Sequence, residues 1–262
     1  MSRSTEPDDA LGSTYDADFY ETLDAEVRGS AEVIVPLVVG LLRPESVLDV
    51  GCGRGTWLCV FRDAGVAQIV GVDGPHISAG DLEIPADAFV ARDLTQAFDL
   101  GRRFDLAVSL EVAEHLPADL AQTFVASLVA HAPAVLFSAA IPFQGGAGHV
   151  TERWPSYWAD LFAVHGYVPV DIVRPAVWSD EQVAFWYAQN TMLYLDKTHA
   201  RLDALREHAS RAERPLDVVH PALHERDHTA VRRPAPPPSL RRALRDLRGA
   251  VVRAARGRAP GR

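Results

Sequence analysis

The chain has 262 residues, 48% of them hydrophobic and 23% charged, with a formal net charge of −9; this suits one α/β core plus a tail and excludes wholesale disorder. The charge is uneven: residues 232–262 hold ten arginines and one acid, a surplus of +9, which leaves −18 on residues 1–231. An acidic body argues against nucleic acid as the main substrate, because phosphate backbones are bound by clustered Lys and Arg.

Residues 1–13 are polar without an apolar period and read as a flexible N-terminus ahead of a domain spanning 14–231. From Tyr15, "YDADFYETLDAEVRGSAEVIVPLVVGLL" reads as two helices forming an N-terminal cap, broken near Gly29 and Ser30 and stopped by Pro44. Tyr15 and Tyr20, in the first helix, are candidates to fold over a cofactor. The apolar part, 31–42, is interrupted by Glu32, Pro36 and Gly40 and is too short to span a bilayer. No basic region precedes it, so no signal peptide is expected and a cytoplasmic protein is the default reading. Cys52 and Cys59 have no His or Cys partner at ligand spacing, so neither a disulfide framework nor a metal site is expected.

Short apolar strands are expected at 46–50, 68–72, 88–91, 104–110 and 134–140, separated by helical stretches near 56–64, 76–80 and 118–131. This alternation predicts a Rossmann-like α/β fold, a mostly parallel sheet with helices on both faces. After residue 141 come a glycine-rich loop (144–148), a helix at about 155–164 ending at Gly166, and extended segments at 167–174 and 183–195. The second of these includes "FWYAQN" (185–190), read as strand, and the pair would close the sheet with an antiparallel C-terminal edge strand. Beyond the Pro-rich stretch 232–242, Leu240, Leu244, Leu247 and Val251 fall on one helical stripe among arginines. That tail is either solvated or an amphipathic helix for an anionic membrane surface or an acidic partner.

"VLDVGCGRGTWL" (47–58) is a strand, a turn and a helix start. It sets Gly51, Gly53 and Gly55 beyond a strand's carboxyl end, where ligands of open parallel sheets bind. The glycines run G-x-G-x-G, not the G-x-G-x-x-G of dinucleotide sites, and Asp49 precedes them. Together with the lack of a Tyr-x-x-x-Lys pair, Lys197 being the only lysine, this disfavours a nicotinamide-dependent oxidoreductase. Asp73 ends the next strand, where a carboxylate can accept both hydroxyls of a ribose, and Asp93 follows the third.

These segments, with "GVD" (71–73), "ARDL" (91–94) and "FDLAVSLEVAEHLP" (104–117), make the chain resemble the class I S-adenosylmethionine-dependent methyltransferases over about residues 15–195. The resemblance implies S-adenosylmethionine as cofactor. Gly51, Gly53 and Gly55 would line its methionine part, and Asp49 would support the loop or meet the amino group. Asp73 would hold the ribose, Asp93 and Leu94 would meet the adenine, and Glu111 would sit near the sulfonium and the acceptor. "DGPH" departs from the family, since Gly74 and Pro75 replace longer side chains that often cover the adenine. More softly, "GHVTERWPSYWADLF" (148–162) with "FWYAQN" looks like bacterial sugar or natural-product methyltransferases, which implies a small-molecule acceptor and suggests its hydroxyl.

Removing a hydroxyl proton calls for a base on the loops beyond the strands. His149, in a glycine-rich loop followed by Glu152, Arg153 and Trp154, is one candidate; its alternative role is capping the helix at Pro155. His115 is the other, although the family resemblance favours a structural or gating role for it. Trp154, Tyr157, Trp158 and Phe162 are read first as a stripe packing on the sheet and second as acceptor lining. A protein that binds the cofactor without transferring the methyl group, as regulator or scaffold, is the competing class.

Overall fold

The computed structural model describes residues 17–209 and 215–232. The expected flexible N-terminus, Tyr15 and the stripe Leu240, Leu244, Leu247 and Val251 lie outside the described residues. The chain divides into Met1–Leu223, which holds the whole sheet, and His224–Arg262. No helix among the described residues is long and apolar enough to cross a membrane.

The sheet contains β1 (Ser46–Val50), β2 (Gln68–Asp73), β3 (Phe89–Ala91), β4 (Leu106–Leu110), β5 (Ala134–Ser138), β6 (Tyr167–Val170) and β7 (Met192–Asp196). Their order is β3-β2-β1-β4-β5-β7-β6. The first five pair in parallel, and β7 enters antiparallel between β5 and β6. The mostly parallel sheet with antiparallel pairing at its C-terminal edge is therefore as expected. Every residue of β4 and β5 is buried, which is why these strands read as continuous apolar runs.

Successive strand residues point to opposite faces, so Leu106, Val108 and Leu110 enter one core and Ala107 the other. On the first face lie α1 (Ala17–Leu42) and α2 (Thr56–Asp63), contributing Ile34, Val38, Leu58 and Phe61. On the second lie α3 (Ala121–His131) and α4 (Pro155–Val164), with Phe124, Leu128, Trp158 and Phe162. Trp158 and Phe162 both pack on Phe137 of β5, at ring centroid distances of 5.1 and 5.4 Å, as the core reading expects of these two. Trp154 is outside that core, at 36% exposure. The stretch near 76–80 forms only a 3-10 turn, at Ala79–Asp81.

Two expectations are corrected. Residues 17–42 form one helix, not two broken near Gly29 and Ser30. The small residues there serve a close approach: the Ser30 hydroxyl donates to the Glu26 carbonyl (2.6 Å) and accepts from Ala184 N (3.0 Å). A Cβ on Gly29 would stand 3.0 Å from the Gln182 carbonyl. The extended segment 183–195 is also corrected: beyond α5 (Val173–Val177), "FWYAQN" is the short helix α6 (Phe185–Asn190), and only β7 is strand. Extended backbone would send neighbouring Gln189 and Asn190 to opposite faces. The helix end lets both amides donate to Gln144 Oε1, at 3.2 and 2.9 Å. Further on, α7 (Leu202–Ala209) and α8 (Pro221–Arg232) follow the sheet.

Candidate functional site

Strand order reverses between β1 and β4, so the loops after these strands border the crevice where an open sheet binds ligands. On the β1 side, Gly51, Gly53 and Gly55 all have positive φ (83°, 53° and 86°). At Gly51 the requirement is double, because a Cβ would stand 2.7 Å from Val112 Cγ1, on the loop after β4. At Gly53 a Cβ would meet nothing within 4 Å, which leaves open space over the turn. Gly55 is the residue before α2 and has no side chain to cap its N–H groups.

Asp73 ties the two halves of this corner together. Its Oδ2 accepts from Gly53 N (2.7 Å) and its Oδ1 from Gly74 N (2.6 Å). Each carboxylate oxygen has a second acceptor position for a ligand hydroxyl. Asp49 on β1 is buried and its Oδ2 has no hydrogen-bond partner. Burial, with the Asp73 charge second, pushes its carboxyl up to about 8. An unmet buried acceptor of this kind suits a cationic donor. Cys52 is buried beside these acids, and burial raises its thiol well above the ordinary range; both cysteines are free.

Asp93 is exposed and spends Oδ1 on Thr95 N and Oγ1 (2.9 and 2.6 Å), so it shapes the turn after β3 beside half-buried Leu94.

On the β4 side, Glu111 follows the strand with φ 55°. Its backbone N–H donates to Ser138, while its carboxylate accepts from Gln144 Nε2 (2.8 Å) and Asn190 Nδ2 (3.0 Å). Burial raises its carboxyl, and these donors, with Ser138, oppose the rise. Gln144, Gln189 and Asn190 are the clamp that reading the sequence missed. Their segments lie far apart in the chain and no local spacing joins them.

Three residues on, Glu114 is fully buried, its carboxyl lying beside that of Glu111 and met only weakly by the backbone N–H groups of Glu114 and Ala140. Burial, then the neighbouring Glu111 charge, lifts its carboxyl to about 9. The Glu114 carbonyl accepts from Val150 and Thr151 N (2.8 and 2.9 Å), anchoring the loop that carries His149.

His149 Nδ1 lies 3.1 Å from Glu152 Oε1, its Nε2 lies 4.0 Å from Glu114 Oε1, and its ring stands 5.0 Å from that of His115. It does not cap α4, whose N-cap is Trp154. Glu152 also accepts from Phe143 N and Gly145 N (2.8 and 2.7 Å), so one carboxylate organises the loop. His115 Nδ1 faces the Gly148 carbonyl at 3.3 Å. Desolvation, followed by the nearby His149, holds the His115 imidazole below its ordinary value. The two candidate bases thus cluster with Glu114, whose spacing within "EVAEH" was visible but whose burial was not.

Residues 28–168, more than half of the chain, match the family model described as a methyltransferase domain. Among solved structures, the chain is similar to the sugar N-methyltransferase KedS8 from Streptoalloteichus sp ATCC 53650: 18% identity, covering 75% of this chain and 98% of that one, TM-score 0.53. It is also similar to DesVI of Streptomyces venezuelae: 16% identity, covering 68% and 95%, TM-score 0.51. A third likeness is to magnesium protoporphyrin IX methyltransferase from Synechocystis PCC 6803, described with bound SAM: 17% identity, covering 71% and 87%, TM-score 0.50. At these identities the likeness is one of fold. No curated relative matches the sequence.

Proposed function

This chain belongs to the methyltransferase-domain family, and from that premise we propose that it transfers a methyl group from S-adenosylmethionine to a hydroxyl of a small molecule, a sugar or natural product. The donor reading rests on its fit to the β1 corner. A nucleoside with a cationic amino-acid arm matches an acidic ribose acceptor at Asp73, open space at Gly53 and the unmet buried oxygen of Asp49. Gly51, Gly53 and Gly55 would line the amino-acid arm, and Asp93 and Leu94 the base. When bound, S-adenosylmethionine supplies a methyl group activated by a positive sulfur, so the protein has no electrophile to generate.

What remains for the protein is alignment and proton removal. Glu111, clamped by Gln144 and Asn190, is a fixed negative wall at the centre of the crevice. His149, its Nδ1 proton held by Glu152, offers Nε2 to take the acceptor's proton, and His115 shapes the same wall. The observation that carries this reading is the His149–Glu152 pair beside buried Glu114, since a base oriented by a carboxylate is what a hydroxyl acceptor needs. The likeness to a sugar N-methyltransferase makes an amino-sugar nitrogen the second reading, and such an acceptor would need less help in losing a proton.

We read residues 14–231 as the methyltransferase domain and the basic 232–262 segment as an accessory for an anionic surface or acidic partner. A mass-spectrometric screen of hydroxylated and aminated sugars and metabolites with the full chain tests the acceptor. The expected result is the gain of one CH₂ on a hydroxyl. Gain on nitrogen alone would move the reading to the amine, and no transfer to any candidate by a donor-binding chain would favour the regulatory class.

A further inference from the structure

We propose that Glu114, His115 and His149 form a binding site for one divalent first-row transition cation on the acceptor side of the crevice. Their ligating atoms all lie within 4.8 Å of one another. Metal bonds of about 2.0–2.2 Å set ligand atoms roughly 3–4 Å apart, so a small inward movement of the two rings completes the site.

Three observations converge. Glu114 is 0% exposed, and its carboxylate, which lies beside the Glu111 carboxyl, is met only weakly by the backbone N–H groups of Glu114 and Ala140. A buried carboxyl so weakly met is costly unless something electropositive completes its surroundings. Both imidazoles are then oriented from behind: His115 Nδ1 by the Gly148 carbonyl and His149 Nδ1 by the Glu152 carboxylate. A carbonyl and a carboxylate only accept, so each ring carries its proton on Nδ1 and presents a bare Nε2 lone pair. Metal-ligating histidines are held in this way, with the far nitrogen donating to an oxygen. Finally, a proton-abstracting base needs one imidazole, whereas here two stand with rings 5.0 Å apart beside a single buried carboxylate.

Two imidazole nitrogens and one carboxylate oxygen favour zinc, cobalt, manganese or iron over magnesium or calcium, which prefer oxygen alone. Three protein ligands leave positions open. The rest of the inference relies on the proposed hydroxyl acceptor. Its oxygen would occupy an open position and become more acidic, so that the O–H bond breaks with its proton leaving to solvent water. His149 would then hold the cation in place of taking the proton itself.

The experiment is a titration of the full chain, first dialysed against a chelator, with cobalt(II), followed by visible absorption and calorimetry. Binding of about one equivalent is expected, weakened about tenfold or more in each of His115→Ala, His149→Ala and Glu114→Gln. His149, on the loop, gives a second variant that tests the site independently of the buried Glu114. S-adenosylmethionine affinity, measured on the same samples, should be unchanged in the two histidine variants. No saturable uptake, or equal uptake by a His115→Ala/His149→Ala double variant, overturns the cation site. A chain that binds cobalt but no S-adenosylmethionine would instead sink the donor reading and leave the cation site standing.

Discussion

Replacing Glu114 by Gln should stabilise the metal-free protein at neutral pH while weakening the proposed cation site. In the folded chain the Glu114 carboxyl is lifted from 4.5 to about 9 by burial and by the Glu111 charge. The sign follows from that direction. Below about pH 4.5 the carboxyl is protonated folded and unfolded, and the fold bears no penalty. As pH rises towards the folded value, the unfolded chain releases a proton that the folded chain retains, and stability falls. At pH 7, some two and a half units above the unfolded value at about 1.4 kcal/mol per unit, the penalty reaches about 3 kcal/mol. Gln keeps the shape and carries no titrating proton. Urea unfolding with a chelator present should show the variant's advantage near zero at pH 4.5, about 3 kcal/mol at pH 7 and larger at pH 8. An equal difference at every pH, or a variant uniformly less stable than the parent, would refute the assignment of a neutral buried carboxyl.

A Cβ on Gly146 would press into the His149 ring, 2.8 Å from its Cδ2 and closer to Nε2. Gly146→Ala should therefore swing the imidazole off Glu152 and lower turnover about a hundredfold, since the ring must stay in place whether it takes the proton or holds the proposed cation, with donor affinity unchanged. Steady-state kinetics beside calorimetry would check it, and normal turnover would remove His149 from the chemistry. Gly51→Ala meets both a φ of 83° and the Val112 side chain. It should cost about 1–2 kcal/mol in thermal unfolding from backbone strain alone and weaken donor binding, which an intact affinity would contradict. Buried Arg174 makes two hydrogen bonds to Asp171 (2.9 and 2.6 Å) and one to the Leu216 carbonyl (2.7 Å). Arg174→Met should cost about 3 kcal/mol in denaturant unfolding by stranding Asp171, and a neutral effect would show the pair to be dispensable.

The corner proposed for the donor is legible in the sequence because its features are local. Gly51, Gly53 and Gly55 sit in one turn, Asp73 ends the next strand, and the apolar runs of β1, β4 and β5 announce a sheet buried on both faces. The misreadings came where tertiary contacts outweighed local signals. Gly29 and Ser30 look like a helix break until the 182–184 backbone is packed against them. "FWYAQN" alternates like a strand, but two neighbouring amides have to reach Gln144. The acceptor half was legible only as names: His115 and His149 stood out, while the burial of Glu114 and the hold of Glu152 on His149 depend on a loop conformation that no spacing encodes.

The most direct measurement is a calorimetric titration of the full chain with S-adenosylmethionine, repeated with Asp73→Ala. A donor site built on Asp73 and the glycine turn predicts about one equivalent bound, with affinity falling about tenfold or more when the carboxylate that accepts from Gly53 N is removed. A folded chain that binds no S-adenosylmethionine, or binds it equally well without the Asp73 carboxylate, would contradict it.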